Sequence, residues 1–354
     1  MTSSLTISTL ATLDPITRAT ASLGLVLDRT DVVTVTVDIH DDAVTHTLTA
    51  STGALSSTTT PLEHACLSCA IREVVLPELV ALQEVETWKH AVIVLPPTSE
   101  PAPVVRLLDD NLGHQGLLPR AAYGTTIAAF DAETFAADAT SDDWLEDRGW
   151  SLHEDDDRVV AEAVAPIVTS SDTIALVGDK PLDEHTLALA DHLRGDGSRV
   201  VPCSLDDLPA LALPATAGRT RDCLERANPF TPCRRTPVDR AGVWTVRLTS
   251  THGFHPERLR EHVAHLAGSA TRVRGHFWVT SRPDSACVWD SAAGQVYVGE
   301  HGTWGPRTPR TELIVTGTSD CRDTIADAFS RSLARPGEEP SDDVLADWLG
   351  EIDA

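Results

Sequence analysis

Two cysteines three residues apart, Cys66 and Cys69, are the side chains whose type and spacing promise the most chemistry. A C-x-x-C segment brings two thiols to one turn of chain, where they can hold a soft metal ion as thiolates or exchange with a disulfide. Only Leu67 and Ser68 lie between them. Tetrahedral zinc usually takes four ligands, so His64, Glu63, a more distant side chain, water or a partner protein would complete the shell. His64 is the first candidate because it lies just before the pair. A helix opening near Cys69 would lower a thiol pKa at its N-terminus and favour both metal binding and oxidation. Three readings follow: a zinc-sensing or zinc-transfer site, a redox pair, or inert half-buried thiols.

Other groups of reactive residues are weaker. Cys223 and Cys233 flank a proline-rich stretch and could clip it, although free thiols are the expectation. His252, His255, His262 and His265 surround one helical segment, the last two at i, i+3 on one face. Arg272, Arg274, Arg282, Arg307 and Arg310 make the second half locally less acidic, so a phosphate contact competes with an ordinary solvated face. Trp304 reads as core. Trp348 and Leu349 lie in an acidic end, Ser341 to Ala354, that reads as a mobile tail or a docking segment.

The elements that must position these residues alternate. Leu5 to Leu10 is β-like, and Asp14-Pro15 then supplies an N-cap and first-turn proline for a helix whose face carries Ile16, Ala19, Leu23 and Leu27. Val33, Val35, Val37 and Ile39 alternate with polar residues as in a strand. After a Ser/Thr-rich stretch the cysteines open a helical run, Ile71 to Leu82, that Pro77 should kink or break. Ala91 to Leu95, Thr125 to Phe130 and Thr173 to Val177 read as buried strands with helices between, which predicts a mostly parallel α/β sheet over residues 1–205. Residues 206–240 read as a linker. A small α+β module over 241–335 follows, with strands near Trp244, Val273, Cys287, Gln295 and Glu312, a hairpin at Gly294, and helices from Pro256 and around Ile325. An acidic tail occupies 336–354.

At 354 residues the chain is long enough for two cores. Its 42% hydrophobic content comes in short runs, far from the roughly 20 continuous apolar residues of a membrane span. No membrane helix is expected, and the absence of a basic and greasy start predicts a cytoplasmic protein with reduced thiols. The net charge of -25 repels phosphate backbones. A basic protein partner is electrostatically easier than direct contact with nucleic acid.

The segments CLSCAIREVVLPELVAL, AVIVLPPTSEPAPVV, TIAAFDAETF and VWTVRLTSTHGFHPERLREHV, in that order, resemble the CobW-type, zinc-associated P-loop GTPases along nearly the whole chain. The cysteine segment and GFHPERL are the most specific pieces. RVRGHFWVTSRPDSACVWDSAAGQVYVGEHGTW is similar to the branch of ribosome hibernation factor-recruiting GTPases. The resemblance implies a P-loop-like α/β domain followed by a CobW C-terminal-type domain. It also implies zinc as the metal, bound through Cys66 and Cys69, and a zinc-starvation adaptor that brings a hibernation factor to the small ribosomal subunit. The alternative is a metallochaperone delivering zinc to a client.

The chain departs from the family at each nucleotide element. A working P-loop, G-x-x-x-x-G-K-S/T, wraps phosphate in backbone N–H groups and adds a lysine. Here the turn is LATLDPIT, Leu10 to Thr17. It lacks Gly and Lys, Pro15 removes a donor, Asp14 repels phosphate, and Ile16 stands where the Lys belongs. Leu95 is followed by Pro96, Pro97 and Thr98 in place of a carboxylate and glycine. The base-reading element is replaced by VGDKPLDE, with Asp179 and Lys180 as remnants. GTP binding and hydrolysis are therefore expected to be lost. The cysteine pair also lacks the middle thiol of the family's C-x-C-C pattern, because Ser68 replaces it.

Overall fold

The computed structural model describes residues 5–64, 66–85, 87–231, 234–235, 237–338 and 342–350. Eight strands form the first sheet: β1 (Leu5–Thr12), β2 (Val32–Ile39), β3 (Ala43–Ala50), β4 (Gly53–Pro61), β5 (His90–Val94), β6 (Ala121–Asp131), β7 (Thr173–Val177) and β8 (Arg199–Cys203). Their order is β4-β3-β2-β5-β1-β6-β7-β8. Pairing is parallel from β2 through to β8, and only the β2-β3-β4 end is antiparallel. Continuous apolar runs such as Ala91–Val94 are buried on both faces, as a parallel sheet with helices on each side requires.

The helices that cover this sheet are α1 (Pro15–Val26), α2 (Leu67–Ala70), α3 (Leu76–Glu84), α4 (Pro101–Asn111), α5 (Phe135–Asp138), α6 (Val160–Ser170), α7 (Glu184–Leu193), α8 (Leu208–Ala212) and α9 (Thr220–Ala227). Pro77 breaks nothing. A π-helical turn, Ile71–Val75, joins α2 to α3, so the backbone stays helical from Leu67 to Glu84 while the proline sits in the first turn of α3.

Two local features have clear physical reasons. The Ser/Thr-rich stretch, whose pattern assigns it no element, is the hairpin β3-β4. β3 buries Val44, His46, Leu48 and Ala50 in strict alternation, and its Thr45 and Thr47 hydroxyls bond Thr59 and Ser57 across the strands. The face of α1 is also reversed. Ala21 and Leu25 pack inward, whereas Ile16, Leu23 and Leu27 are exposed. Arg18 sets this orientation by donating to Asp38 at 2.7 Å and to the Val37 carbonyl at 2.6 Å.

The second sheet is antiparallel: β9 (Trp244–Ser250), β10 (Thr271–Val279), β11 (Arg282–Ala292), β12 (Gln295–Thr303) and β13 (Thr311–Gly317), ordered β12-β11-β10-β13-β9. Ala293 and Gly294, both at positive φ, make the β11-β12 hairpin turn. Helices α10 (Pro256–Ala267) and α11 (Arg322–Ser332) pack on one face through Leu259, Leu266, Ile325 and Phe329.

Residues 342–350 do not project as a free tail. Leu345 and Leu349, the latter in α12 (Ala346–Leu349), join the second core, and Trp348 packs against it. Arg282, only 2% exposed, holds Asp343 at 2.6 Å and the Leu349 carbonyl at 3.2 Å. Arg260 pairs with Asp347 and lies over the Trp348 ring.

The two units meet along a polar seam. His192 on α7 bonds Thr245 at 2.8 Å and the Val238 carbonyl at 3.2 Å, His185 bonds the Ala241 carbonyl at 2.8 Å, and Thr245 reaches Thr316 at 2.9 Å. Val159 and Ala161 pack on Ala292 and Ala293. A cavity of about 430 Å3 opens beside the seam between α9, the loop after α7, and strands β10 and β13. Among the described residues no helix is long and apolar enough to cross a membrane.

Candidate functional site

Cys66 caps the helix that runs to Glu84. Its backbone is extended, at φ -98° and ψ 158°, its carbonyl accepts the Ala70 N–H at 2.9 Å, and its sulfur accepts the Cys69 N–H at 3.4 Å. A thiol therefore takes the role usually given to a Ser or Asp oxygen at a helix start. The Cys69 backbone N–H, helped by the Cys69 thiol, holds the Cys66 thiol below its ordinary pKa. Cys69 moves the other way because its thiol donates to the Cys66 sulfur, and the Arg72 guanidinium approaches it at 3.6 Å. Cys66 is exposed and Cys69 half-buried, so the sulfur with the lowered pKa faces solvent and the other stands behind it.

His64 is exposed, and its carbonyl accepts the Cys66 N–H at 2.9 Å. Among the described residues no group of three or more His, Cys, Asp or Glu side chains gathers into a metal cage. The two sulfurs are thus brought together without a third donor gathered beside them among the described residues. Of the remaining described cysteines, Cys321 is half-buried, while Cys203, Cys223 and Cys287 are buried, and desolvation pushes their thiols up to about 11, 12 and 12. Cys233 lies outside the described residues, so the Cys223–Cys233 clip falls there too.

The carboxyl edge of the parallel strands is where open α/β sheets take ligands. At the end of β1, Asp14 turns its Oδ1 onto the Ile16 N–H at 2.9 Å and the Thr17 N–H at 2.8 Å. These are the orphan donors with which a helix start would bind an anion. Here the chain's own carboxylate occupies them, and Pro15 contributes no donor. Thr98, at the end of the neighbouring strand, donates its N–H to the Thr12 carbonyl at 2.9 Å and its hydroxyl toward the Trp150 carbonyl at 3.3 Å. It is wholly buried at φ 62°. Arg158 closes over it, donating to the Thr98 carbonyl at 3.2 Å while pairing with Asp156 at 2.7 Å. Beyond β7, Lys180 pairs with Glu133 at 2.9 Å beside a pocket of about 230 Å3 that includes Gly178 and Asp183.

The histidines and arginines of the second unit are structural. His255 occupies the N-cap position of α10, 3.9 Å from Glu338, and the His262 and His265 rings lie 6.3 Å apart without a third ligand among the described residues. Arg272 pairs with Asp290, Arg310 with Glu312, and Arg307 lies over Phe230. Trp304 is buried and donates to the Ser285 carbonyl at 2.9 Å. What sequence reasoning missed is the closure by Thr98, Trp150 and Arg158, and the seam histidines. Proline before Thr98 was the one available signal.

An α/β layer with a paired-thiol helix cap, joined to a five-stranded antiparallel module, defines the class to which the comparisons also lead. Residues 243–333 match the cobalamin synthesis protein cobW C-terminal domain. The chain is 30% identical over 295 residues to the Mycobacterium tuberculosis protein named zinc chaperone Rv0106, across 79% of this chain and 70% of that one. Identity and coverage are the same for the uncharacterized protein Mb0109 of Mycobacterium bovis. A solved structure, the Zn(II)-bound YjiA GTPase of E. coli, is 13% identical over 93% of this chain and 99% of its own, with a TM-score of 0.36. The chain belongs to the CobW family.

Proposed function

We propose that this protein is a zinc-handling member of the CobW family that carries zinc on Cys66 and Cys69 without a GTP cycle. The observation that carries the reading is the Cys66 cap. An exposed thiol whose pKa the Cys69 N–H lowers stands beside a second thiol, with no third ligand among the described residues. Such a site leaves about two of zinc's four positions open. A closed four-ligand cage retains its metal, whereas an open pair lets a receiving protein add its own donors before the carrier lets go. Zinc is thus cargo here, and His64 or water fills a free position between exchanges. The name of the mycobacterial relative supports this choice of metal. The Asp14 carboxylate on the α1 donors supports the absence of nucleotide, since a phosphate would have to displace a tethered anion and then meet its charge.

Titration of the reduced protein with zinc against a colorimetric chelator tests the reading. One zinc per chain is expected for the wild type, with a loss of about tenfold or more in affinity for Cys66→Ser or Cys69→Ser. Unchanged binding in both variants would move the zinc site elsewhere.

A second reading keeps the same pair as a zinc-responsive element on an adaptor that brings a ribosome hibernation factor to the small ribosomal subunit. The net charge of -25, which suits a basic protein partner, favours it. Co-sedimentation with small subunits from zinc-starved cells, present in the wild type and altered in the Cys66→Ser and Cys69→Ser variants, would support it. Absence of sedimentation would leave only the carrier.

A further inference from the structure

Two sulfurs are too few for a closed metal cage, but they are all that a disulfide requires. We propose that Cys66 and Cys69 form a thiol–disulfide exchange site, with Cys66 the attacking and Cys69 the resolving sulfur, for low-molecular-weight disulfides of the glutathione type. The inference uses the same sulfurs as the zinc reading but does not need zinc to bind.

Placement carries it. The Cys66 sulfur sits 3.4 Å from the backbone nitrogen of Cys69, one turn of chain holds both thiols, and both cysteines are free. Closing the bond asks for side-chain rotation within one turn rather than for movement of helix against sheet, and cysteines three apart at a helix start fall within the Cα separation of about 4.4–6.8 Å that a disulfide tolerates. Exposure assigns the roles. Cys66 is open to a small disulfide, whereas Cys69 is half-buried with Arg72 at 3.6 Å, which accommodates the charge when its proton leaves. Cys203, Cys223 and Cys287 are buried and lack this access.

In the forward step the Cys66 thiolate attacks one sulfur of R–S–S–R. A protein–S–S–R bond forms and the R–S–S–R bond breaks, releasing R–S⁻, which takes up the proton that Cys66 gave to solvent. Cys69, losing its proton to solvent, then attacks the Cys66 sulfur. The Cys66–Cys69 bond forms and the second R–S⁻ leaves and is protonated. Two electrons pass from the dithiol to the disulfide, and two R–SH are produced. The oxidised pair has no thiolate left for a metal ion, so oxidation and zinc occupancy exclude each other.

The test uses the full chain, reduced, metal-free and then incubated with oxidised glutathione, with free thiols alkylated before mass spectrometry of the peptide that contains both residues. The expected wild-type product is that peptide two hydrogens lighter and unalkylated at both cysteines. Cys69→Ser should trap glutathione on Cys66, whereas Cys66→Ser should leave Cys69 mostly alkylated. Full alkylation of both wild-type cysteines after prolonged incubation would overturn the proposal, and so would glutathione trapped equally in the two variants. Zinc binding by the same reduced preparation is measured in parallel. A pair that binds zinc but never closes refutes only the exchange, and a pair that closes but binds no zinc refutes only the carrier reading.

Discussion

Removing the Asp14 carboxylate gives a direct view of what fills the start of α1. In Asp14→Ala the Ile16 and Thr17 N–H groups lose a shared acceptor at 2.9 and 2.8 Å. Loss of an Asp N-cap costs about 0.5–2 kcal/mol. Asp14 is half-exposed and water can reach both donors, so the expected cost is about 1 kcal/mol. Asp14→Asn and Asp14→Ser keep an oxygen in place and should fall within about 0.5 kcal/mol of the wild type. Urea unfolding followed by circular dichroism reads this as a lower midpoint with an unchanged slope for the alanine variant alone. The same three proteins, titrated with GTP and Mg²⁺ by calorimetry, should give no heat. Pro15 still lacks its donor, Ile16 still stands where a lysine would be needed, and Thr98 still closes the neighbouring strand end. Equal stability of Asp14→Ala and wild type would refute the cap. Micromolar GTP binding by the wild type would refute the closed crevice.

Other consequences follow from single contacts. Arg282→Ala should strip the C-terminal segment from the second core at a cost of about 3 kcal/mol, since it leaves Asp343 and two backbone carbonyls without their shared cation. Limited proteolysis should then cut near residue 342, where the wild type resists. Gly275→Ala would set a Cβ 2.0 Å from the Glu312 carbonyl oxygen, across the β10-β13 pairing, and should cost about 3 kcal/mol in a thermal melt. The Arg258 guanidinium, with the Arg335 N–H, holds the Glu338 carboxyl down at about 2. Because this folded pKa is depressed, the pair's contribution is present above the ordinary Glu value of about 4.3 and is lost as pH falls toward about 2. In Arg258→Ala the Glu338 carboxyl should titrate near the ordinary value by carbon-detected NMR. No change in that titration would place the cause elsewhere.

Much of the fold is written in periodicity. Ala91–Val94 is a short apolar run between polar boundaries, and Trp244, Val246 and Leu248 alternate, so a buried parallel strand and an antiparallel one each leave a distinct trace. The hairpin β3-β4 left a fainter one. Its outer strand is almost wholly exposed and built of Ser and Thr, whose turn-forming chemistry masks their β preference. In α1 two apolar stripes compete, and the choice between them is made by Arg18 reaching Asp38, a contact between residues far apart in sequence. Leu345 and Leu349 looked unpartnered because the core they join is assembled from several strands and helices well separated from them in sequence.

The candidate site divides in the same way. The adjacency of Cys66 and Cys69 is local, so spacing was enough to find it. Asp14 and Pro15 were legible both as a helix start and as a poor host for phosphate, and the structure adds that the carboxylate itself takes the donors. Burial of Thr98 under Trp150 and Arg158 depends on segments about 50 and 60 residues apart in the chain, and no local pattern encodes it.

Zinc carried on two sulfurs with no nucleotide stroke makes handover to an acceptor the decisive measurement. The reduced protein loaded with one zinc is mixed with a metal-free acceptor peptide containing four cysteines, and transfer is followed with and without GTP and Mg²⁺. Equal transfer rates in the two conditions, and none from the Cys66→Ser, Cys69→Ser double variant, are the predicted result. Transfer that needs GTP, or that survives loss of both sulfurs, would contradict it.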